Sequence, residues 1–270
     1  MSNILTHTFP NGVVEQFIPI KNNAGAHNAL YRGDDLTEYF NSGEMSAAIV
    51  NGSFKDIFPG DYIKKSITVD GTEYKDVKWI IGDCDYHLNR GDTQTTKHHV
   101  LVFPEGVLGA ARMNETNTTE GGYVGSEMWT VTIPNYVTGI QTAFGSDHVL
   151  SHRELLTKSV NTTAPSGAGC GWNGSADNWQ WTSVLVNLFN EPMVYGGRVF
   201  SSSGMDVYDC NTQVAAMRHN KGLSFSRSGW SWLRAVVSGA HFAYADSSGI
   251  ANNYSASGAA GRVRPYFLLT

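Results

Sequence analysis

The chain has 270 residues and a net charge of −5, so it can bury a substantial core but has no general attraction to nucleic acid. Hydrophobic residues make up 41% and charged residues 16%, and no apolar run is long enough to cross a membrane as a helix. Twenty-nine glycines, twelve tyrosines and seven tryptophans favour a soluble chain rich in strands and loops over a helical bundle.

Residues 1–33 alternate short apolar pieces with turn-forming residues, which predicts an N-terminal arm or an edge hairpin. No basic region precedes an apolar stretch there, so we expect no signal peptide and synthesis in the cytoplasm. Asp34 or Asp35 then predicts the start of a short helix over Leu36–Phe40, and a second short helix is expected over Glu44–Asn51. We expect helix packing onto a sheet.

A β-hairpin is the clearest local prediction. Tyr62–Val69 and Glu73–Ile81 both read as strands, and Asp70-Gly71 between them is a strong hairpin-turn signal. Residues 86–92 are expected to form a loop. His99–Phe103 is apolar and predicts a further strand, which Pro104 ends.

Apolar residues then recur at helical spacing from Gly125-Ser126 to Phe144. Pro134 lies within this pattern, so it either separates two helical pieces or starts the second one.

The next predicted elements are a polar loop over Ser159–Asn178, a strand over Trp179–Leu188 and a helix over Tyr208–His219, capped by Asp206 or Asp209. No internal repeat or linker interrupts the pattern. We therefore expect one mixed α+β domain over residues 34–270, with antiparallel strands, two or three short helices and long loops, preceded by the arm.

The C-terminal stretch Leu223–Thr270 has two strand-like ends and a middle composed mainly of small residues. Ser228–Val237 alternates so that Trp230 and Trp232 share one side and Leu233 lies on the other, and Arg262–Leu269 reads as a closing strand. Residues 238–260 are mostly Ser, Gly, Ala and Asn, and we expect them to contribute little to the core. Such a segment is either a plain surface loop or an adaptable recognition surface.

Metal and catalytic patterns are weak. His148 and His152 would face one way on a helix, with Asp147 and Glu154 nearby, but the segment fits a strand equally well and a third ligand is lacking. Neither a catalytic Ser/His/Asp order nor a phosphate-binding loop has a surrounding motif. We therefore predict no catalytic residue, metal or cofactor.

Cysteines give no further chemistry. Cys84, Cys170 and Cys210 are odd in number and widely spaced, which predicts free thiols. The C-terminal arginines, Arg227, Arg234, Arg262 and Arg264, could bind an anion or stack, buried, on tryptophan.

Trp230-Ser-Trp-Leu-Arg234 and Gly261-Arg-Val-Arg-Pro-Tyr-Phe-Leu-Leu269, with small residues between them, resemble a lectin-like domain of phage and prophage proteins. That domain is similar to the C-type lectin fold shared by formylglycine-generating enzymes and the variable proteins of diversity-generating retroelements. Asn190-Glu191-Pro192 only partly matches the calcium-binding set of such lectins. The three cysteines match no oxidase pair, so the resemblance implies neither calcium dependence nor oxidase chemistry.

The resemblance places a ligand face within residues 238–260, between core strands, and implies that the segment is diversified by a retroelement. Carried over by position, the ligand-binding residues are His241, Tyr244, Asp246, Ser247, Asn252, Asn253, Tyr254 and Ser257. The flanking residues Trp230, Trp232, Arg234, Arg262, Arg264 and Phe267 are expected to be scaffold.

The resemblance further implies a protein of the virion surface, in the tail or a fibre, that binds a host-cell receptor of protein or glycan nature. Other virion proteins and copies of this chain, as a trimer, are the expected partners, and neither nucleic acid nor a membrane span is expected. Two alternatives stay open: a capsid-decorating or minor tail protein without a receptor role, and a glycan-acting enzyme on the same fold.

Overall fold

A computed structural model describes residues 5–17, 21–161, 176–201 and 212–270. The fold is mixed α+β with mainly antiparallel sheets, as the sequence predicts. The described residues include six α-helices, more than the two or three expected, although only one of them is longer than seven residues. None of the helices in these ranges has the length and apolarity that a membrane crossing requires.

Strands and helices alternate irregularly along the chain. The strands are β1 Leu5–Thr8, β2 Val14–Phe17, β3 Tyr62–Val69, β4 Thr72–Cys84, β5 Val100–Pro104, β6 His152–Val160, β7 Ala176–Val184, β8 Val186–Leu188, β9 Ser231–Val236, β10 His241–Ala245, β11 Ala251–Ser255 and β12 Pro265–Leu269. The helices are α1 Ala24–His27, α2 Thr37–Asn41, α3 Glu44–Val50, α4 Ile133–Phe144, α5 Glu191–Tyr195 and α6 Ala215–His219, with a π-helical turn, Met128–Thr132, before α4.

The central sheet has five strands in the order β3-β4-β5-β12-β8, all paired antiparallel. The predicted hairpin is confirmed as β3–β4. Its turn residues Asp70 and Gly71 have φ values of 48° and 75°, the left-handed conformation that Asp-Gly accommodates at such turns. The C-terminal strand β12 pairs with β5 on one side and β8 on the other, so it is an interior strand of this sheet.

Two hydrophobic clusters use alternate residues of the central strands, as the two-residue period of a strand requires. Ile81, Val102 and Phe267 belong to the larger cluster, with α2, α3 and α4. Leu101 and Leu268 belong to the second, with α5 and α6. The sheet is therefore buried on both sides, which explains why β5 and β12 are entirely buried.

The helix predictions hold in the first half of the chain. Helices α2 and α3 are confirmed. The N-cap of α2 is Leu36, which makes no side-chain cap hydrogen bond, so the expected cap at Asp34 or Asp35 is wrong; the Asp35 Oδ1 instead accepts a hydrogen bond from the backbone N–H of Thr37, the first residue of the helix, at 3.0 Å. The long helical pattern is also confirmed. Pro134 lies in the first turn of α4, where its missing N–H costs nothing, and therefore starts the second helical piece.

Two later predictions need correction. The strand expected over Trp179–Leu188 divides at Leu185 into β7 and β8, because β7 pairs with β6 whereas β8 pairs with β12 of the central sheet. Of the helix expected over Tyr208–His219, the described residues 212–214 are not helical, and α6 begins at Ala215. Its expected caps, Asp206 and Asp209, lie outside the described residues, as do Cys170 and Cys210, whereas Cys84 is a buried free thiol.

The expectation that residues 238–260 contribute little to the core is wrong. They contain the β10–β11 hairpin, which pairs with β9 in a three-stranded sheet. Phe242, Ala243, Ala245 and Ala256 are at most 1% exposed. Small side chains fill this part of the core because the neighbouring strands and tryptophans supply the bulk.

Residues 27–32 pack on the domain predicted to begin at residue 34. Asn28 pairs with the backbone of Cys84 in both directions, donating to its carbonyl and accepting from its N–H at 2.8 Å each. Arg32 forms an ion pair with the buried Asp61 at 2.9 Å. Strands β1 and β2 pair only with each other among the described strands.

Candidate functional site

The β9–β10–β11 sheet carries the predicted ligand residues. Strand β10 is central and β11 is the edge, with Phe242 opposite Tyr254 and Tyr244 opposite Asn252. Tyr244 also lies opposite Trp232 of β9. Because directly opposed residues in an antiparallel pair share a face, the register places these aromatic residues on one side of the sheet.

Three aromatic side chains form what we call the aromatic surface: Trp230, Tyr244 and Tyr254. The ring centroids of Trp230 lie 4.5 Å from Tyr244 and 5.5 Å from Tyr254, within the range of favourable aromatic pairs. Tyr254 is 49% exposed, while Trp230 and Tyr244 are half-buried. The surface therefore presents aromatic area that is already packed in place.

Trp232 supports this surface from below. It is 1% exposed, its ring centroid lies 4.7 Å from that of Trp230, and its Nε1 donates to the carbonyl of Ala111 at 2.8 Å. A Cβ on Gly261 would overlap the Trp232 indole nitrogen, so only glycine lets the chain pass this close. Burial, Asp246 and Tyr254 raise the pKa of Tyr244 above its usual value, which keeps its hydroxyl protonated as a donor.

The structure divides the predicted ligand residues between two faces of the sheet. Tyr244, Asn252 and Tyr254 share the aromatic face. His241 and Asn253 lie on the other face, where the His241 Nδ1 and the Asn253 Oδ1 are 2.8 Å apart. A single flat ligand cannot contact both sets.

Asp246, Ser247 and Ser257 lie at the ends of the hairpin strands. The Asp246 Oδ1 accepts hydrogen bonds from the N–H and hydroxyl of Ser248 at 2.6 Å each, and these bonds lower the pKa of Asp246. Asp246 therefore holds the turn, and Ser247 is exposed beside it. The Ser257 hydroxyl lies 3.1 Å from that of Ser255.

The histidine pair considered for metal does not form. His148 ends a short 3₁₀ turn and its Nδ1 lies 2.7 Å from the carbonyl of Thr270, whereas His152 is buried in β6. The structure instead places His87, from the loop after β4, beside His152 and Glu154, with ligand-type atoms within 4.8 Å of one another. Sequence spacing gave no sign of His87.

Protein groups surround the Glu154 carboxylate in this buried cluster, although its Oε2 accepts no hydrogen bond from the described residues. The Glu154 Oε1 accepts from Tyr266 at 2.6 Å and from Asn187 at 3.0 Å, and lies 3.0 Å from the His152 Nε2. The Glu154 Oε2 lies 2.8 Å from the Arg234 guanidinium. A cation bound here would be repelled by the Arg234 guanidinium, so the arrangement suits a structural ion pair better than a metal site.

The charge states of the cluster follow from burial and pairing. Burial alone would raise the pKa of Glu154, but Arg234 and the hydrogen bond with His152 outweigh it and hold that pKa well below its usual range. Burial, reinforced by His152, lowers the pKa of His87 well below its usual value. Glu154 is therefore an anion and His87 is neutral at neutral pH.

Glu191 belongs to Asn190-Glu191-Pro192, which partly matches a calcium-binding set, but its carboxylate is bound by backbone N–H groups. Its carboxylate accepts hydrogen bonds from the backbone N–H groups of Val199, Phe200 and Ser201 at 2.8 to 3.0 Å. Asn190 caps α5 by accepting from the N–H of Met193. Both side chains therefore fix local backbone.

The arginines expected to be scaffold divide by burial. Arg264 is 2% exposed, donates to the carbonyls of Pro104, Glu105 and Leu223, and lies over the Phe103 ring. Arg234 is buried in the cluster with Glu154, while Arg262 is exposed. Arg264 is therefore buried against a ring, but the ring is that of Phe103, so the expected stacking on tryptophan is wrong for this residue.

Sequence reasoning classed Trp230 as scaffold, whereas the structure places it in the exposed aromatic surface. The two-residue alternation in the sequence predicted that Trp230 and Trp232 share one side of a strand. The contacts of Trp230 with Tyr244 and Tyr254, however, depend on the β10–β11 hairpin. No protein-family model, no curated protein and no solved structure matches this chain.

Proposed function

We propose that this chain is a phage virion protein of the tail or a fibre, and that it binds a host-cell surface receptor through the aromatic surface. The domain would be a C-type lectin-like one, in keeping with its α+β composition and antiparallel sheets. One observation carries the proposal: Trp230, Tyr244 and Tyr254 are packed against one another while Tyr254 is still 49% exposed.

Aromatic residues of this kind supply much of the binding energy in protein recognition. Tyrosine and tryptophan offer large contact areas and lose little side-chain entropy, and they are enriched among residues whose truncation costs about 2 kcal/mol or more. The ring contacts of Tyr254 with Trp230 and Tyr244 hold it before a ligand arrives. This preorganisation lowers the entropic cost of binding.

Polar groups beside the rings would supply specificity. Asn252 shares the face of Tyr244 and is exposed, and its amide can both donate and accept. Many copies on one particle would raise the effective affinity of each weak contact without new contacts. A trimer of this chain, attached to the particle through its N-terminal arm, would present three aromatic surfaces and so support multivalent binding.

Replacing both Tyr244 and Tyr254 by Ala tests the receptor role. Loss of two anchors should weaken binding of the purified protein to cells of the phage's host by at least about a hundredfold. Val50→Ala is the matched control, because Val50 is 63% exposed on α3, away from the aromatic surface. Unchanged cell binding by a folded double variant would contradict the receptor role and favour a purely structural virion protein.

A further inference from the structure

A polar cleft lies between the β3–β4 turn and the start of α4. Its volume is about 580 Å³, within the range of small-ligand sites. We call it the Arg112 cleft; its main polar and aromatic lining residues are Asp70, Tyr74, Arg112, Glu127, Asn135 and Tyr136. Two depressions of about 630 and 600 Å³ share lining residues with it, so the cleft continues along the surface as a groove.

The cleft holds a fixed pair of opposite charges. The Arg112 Nε donates to both oxygens of Glu127, at 2.9 and 3.2 Å, and Arg112 also lies 3.7 Å from Glu115. The side chains of Arg112 and Glu127 are 38% and 31% exposed, so both can still reach a ligand. Their neighbour Asn135 adds an amide that can donate and accept.

The floor of the cleft carries phenolic groups. A Cβ on Gly109 would lie 2.6 Å from the Tyr74 hydroxyl and 3.4 Å from that of Tyr136, so glycine there leaves room for both. The wall includes Val131 of the π-helical turn, which is 56% exposed. π-helical turns are rare and frequently occur at functional sites.

We propose that the Arg112 cleft binds a neutral saccharide unit of an extended glycan. An anionic ligand is disfavoured, because Glu127 and Glu115 already neutralise Arg112 and Asp70 adds a negative charge. A simple cation is disfavoured, because Arg112 occupies the Glu127 carboxylate. Sugar hydroxyls both donate and accept, so they match a fixed carboxylate, guanidinium and amide without needing net charge.

Ala111 connects the cleft with the residues that support the aromatic surface. Arg112 follows Ala111, whose N–H donates to the carbonyl of Gly261 at 2.8 Å and whose own carbonyl accepts from Trp232. Ala259 lines the cleft from the same C-terminal segment. The saccharide site is therefore separate from the aromatic surface and linked to it through Ala111 and Trp232, which packs on Trp230.

Saturation-transfer NMR on the full chain tests this proposal with maltose, cellobiose, lactose and N,N′-diacetylchitobiose as neutral probes and sialyllactose as an anionic one. We expect transfer to at least one neutral disaccharide and weaker transfer to sialyllactose. Glu127→Gln should weaken neutral binding about tenfold or more, because a hydrogen bond to a charged carboxylate is stronger than one to a neutral amide. Glu38→Gln, the same change on an exposed residue of α2, should leave it unchanged.

Three results would overturn the saccharide site: no transfer to any neutral disaccharide, transfer that a folded Glu127→Gln variant leaves unchanged, or stronger binding of sialyllactose. Gly109→Ala gives a second variant, since it displaces Tyr74 without altering charge, and it should also reduce transfer. Tyr254→Ala separates this site from the proposed receptor surface. It should reduce cell binding but leave disaccharide transfer intact.

Discussion

Replacing Arg234 by Met should expose the energetic role of the buried cluster. Arg234 is 5% exposed and Glu154 is 1% exposed, with 2.8 Å between the guanidinium and the carboxylate. Methionine keeps most of the side-chain length but removes the charge. Glu154 would then be an anion in a protein interior without its principal cation.

The expected cost is about 3 kcal/mol. Removing one partner of a buried ion pair costs about 3–5 kcal/mol, because the remaining charge loses its compensation. The lower end applies because Tyr266 and Asn187 still donate to the Glu154 Oε1. The double variant Arg234→Met with Glu154→Gln should be more stable than Arg234→Met alone, since no uncompensated charge is left.

Urea unfolding at neutral pH, followed by tryptophan fluorescence and far-UV circular dichroism, gives the free energies of unfolding for the double-mutant cycle. The low folded pKa of Glu154 contributes stability that is present above its unfolded pKa and lost as pH falls through the folded value. The cost of Arg234→Met should therefore shrink in acid. A cost below about 1 kcal/mol, or a double variant no more stable than the single one, would refute the reasoning.

Burial raises the pKa of Asp83 to about 7. The folded pKa of Asp83 lies above its unfolded pKa, so the stability that this shift contributes is lost as pH rises towards 7. The free energy of unfolding of the wild type, relative to that of Asp83→Asn, should therefore fall by about 2–3 kcal/mol between about pH 5 and about pH 8. Urea titrations at the two pH values measure this change. A difference independent of pH would contradict this. Gly261→Ala should cost about 1–3 kcal/mol and change the near-UV circular dichroism, because its Cβ would lie 2.6 Å from Trp230. Gly197→Ala is its control, because a Cβ there would meet no atom of the described residues within 4 Å; equal effects of the two would contradict the packing argument.

Elements with local signals were predictable from the sequence. The β3–β4 hairpin follows from Asp70-Gly71, whose left-handed φ values suit those two residue types, and α4 follows from its apolar spacing and from Pro134. Both signals lie within a few residues of the structure they determine. They required no knowledge of the rest of the fold.

The buried cluster was not predictable, because its members come from distant parts of the chain. His87 follows β4, Glu154 lies in β6 and Arg234 in β9, and the fold rather than spacing brings them together. The break at Leu185 has the same origin, since β7 and β8 pair with strands of different sheets. Pairings of this kind depend on tertiary structure, which the two-residue period of a strand does not encode.

The small-residue segment shows how one hairpin can serve both core and surface. In β10, Phe242, Ala243 and Ala245 are buried, whereas in β11 Asn252 and Tyr254 are exposed. Substitutions at the exposed β11 positions remove little packing, while those in β10 would open cavities or clash. If the segment is diversified, variation should therefore concentrate at the exposed positions of β11 and at the exposed turn residues Ser247, Ser248 and Ile250. Phe242 and the β10 alanines should stay constant, because only that division changes a ligand surface without unfolding the sheet that holds it.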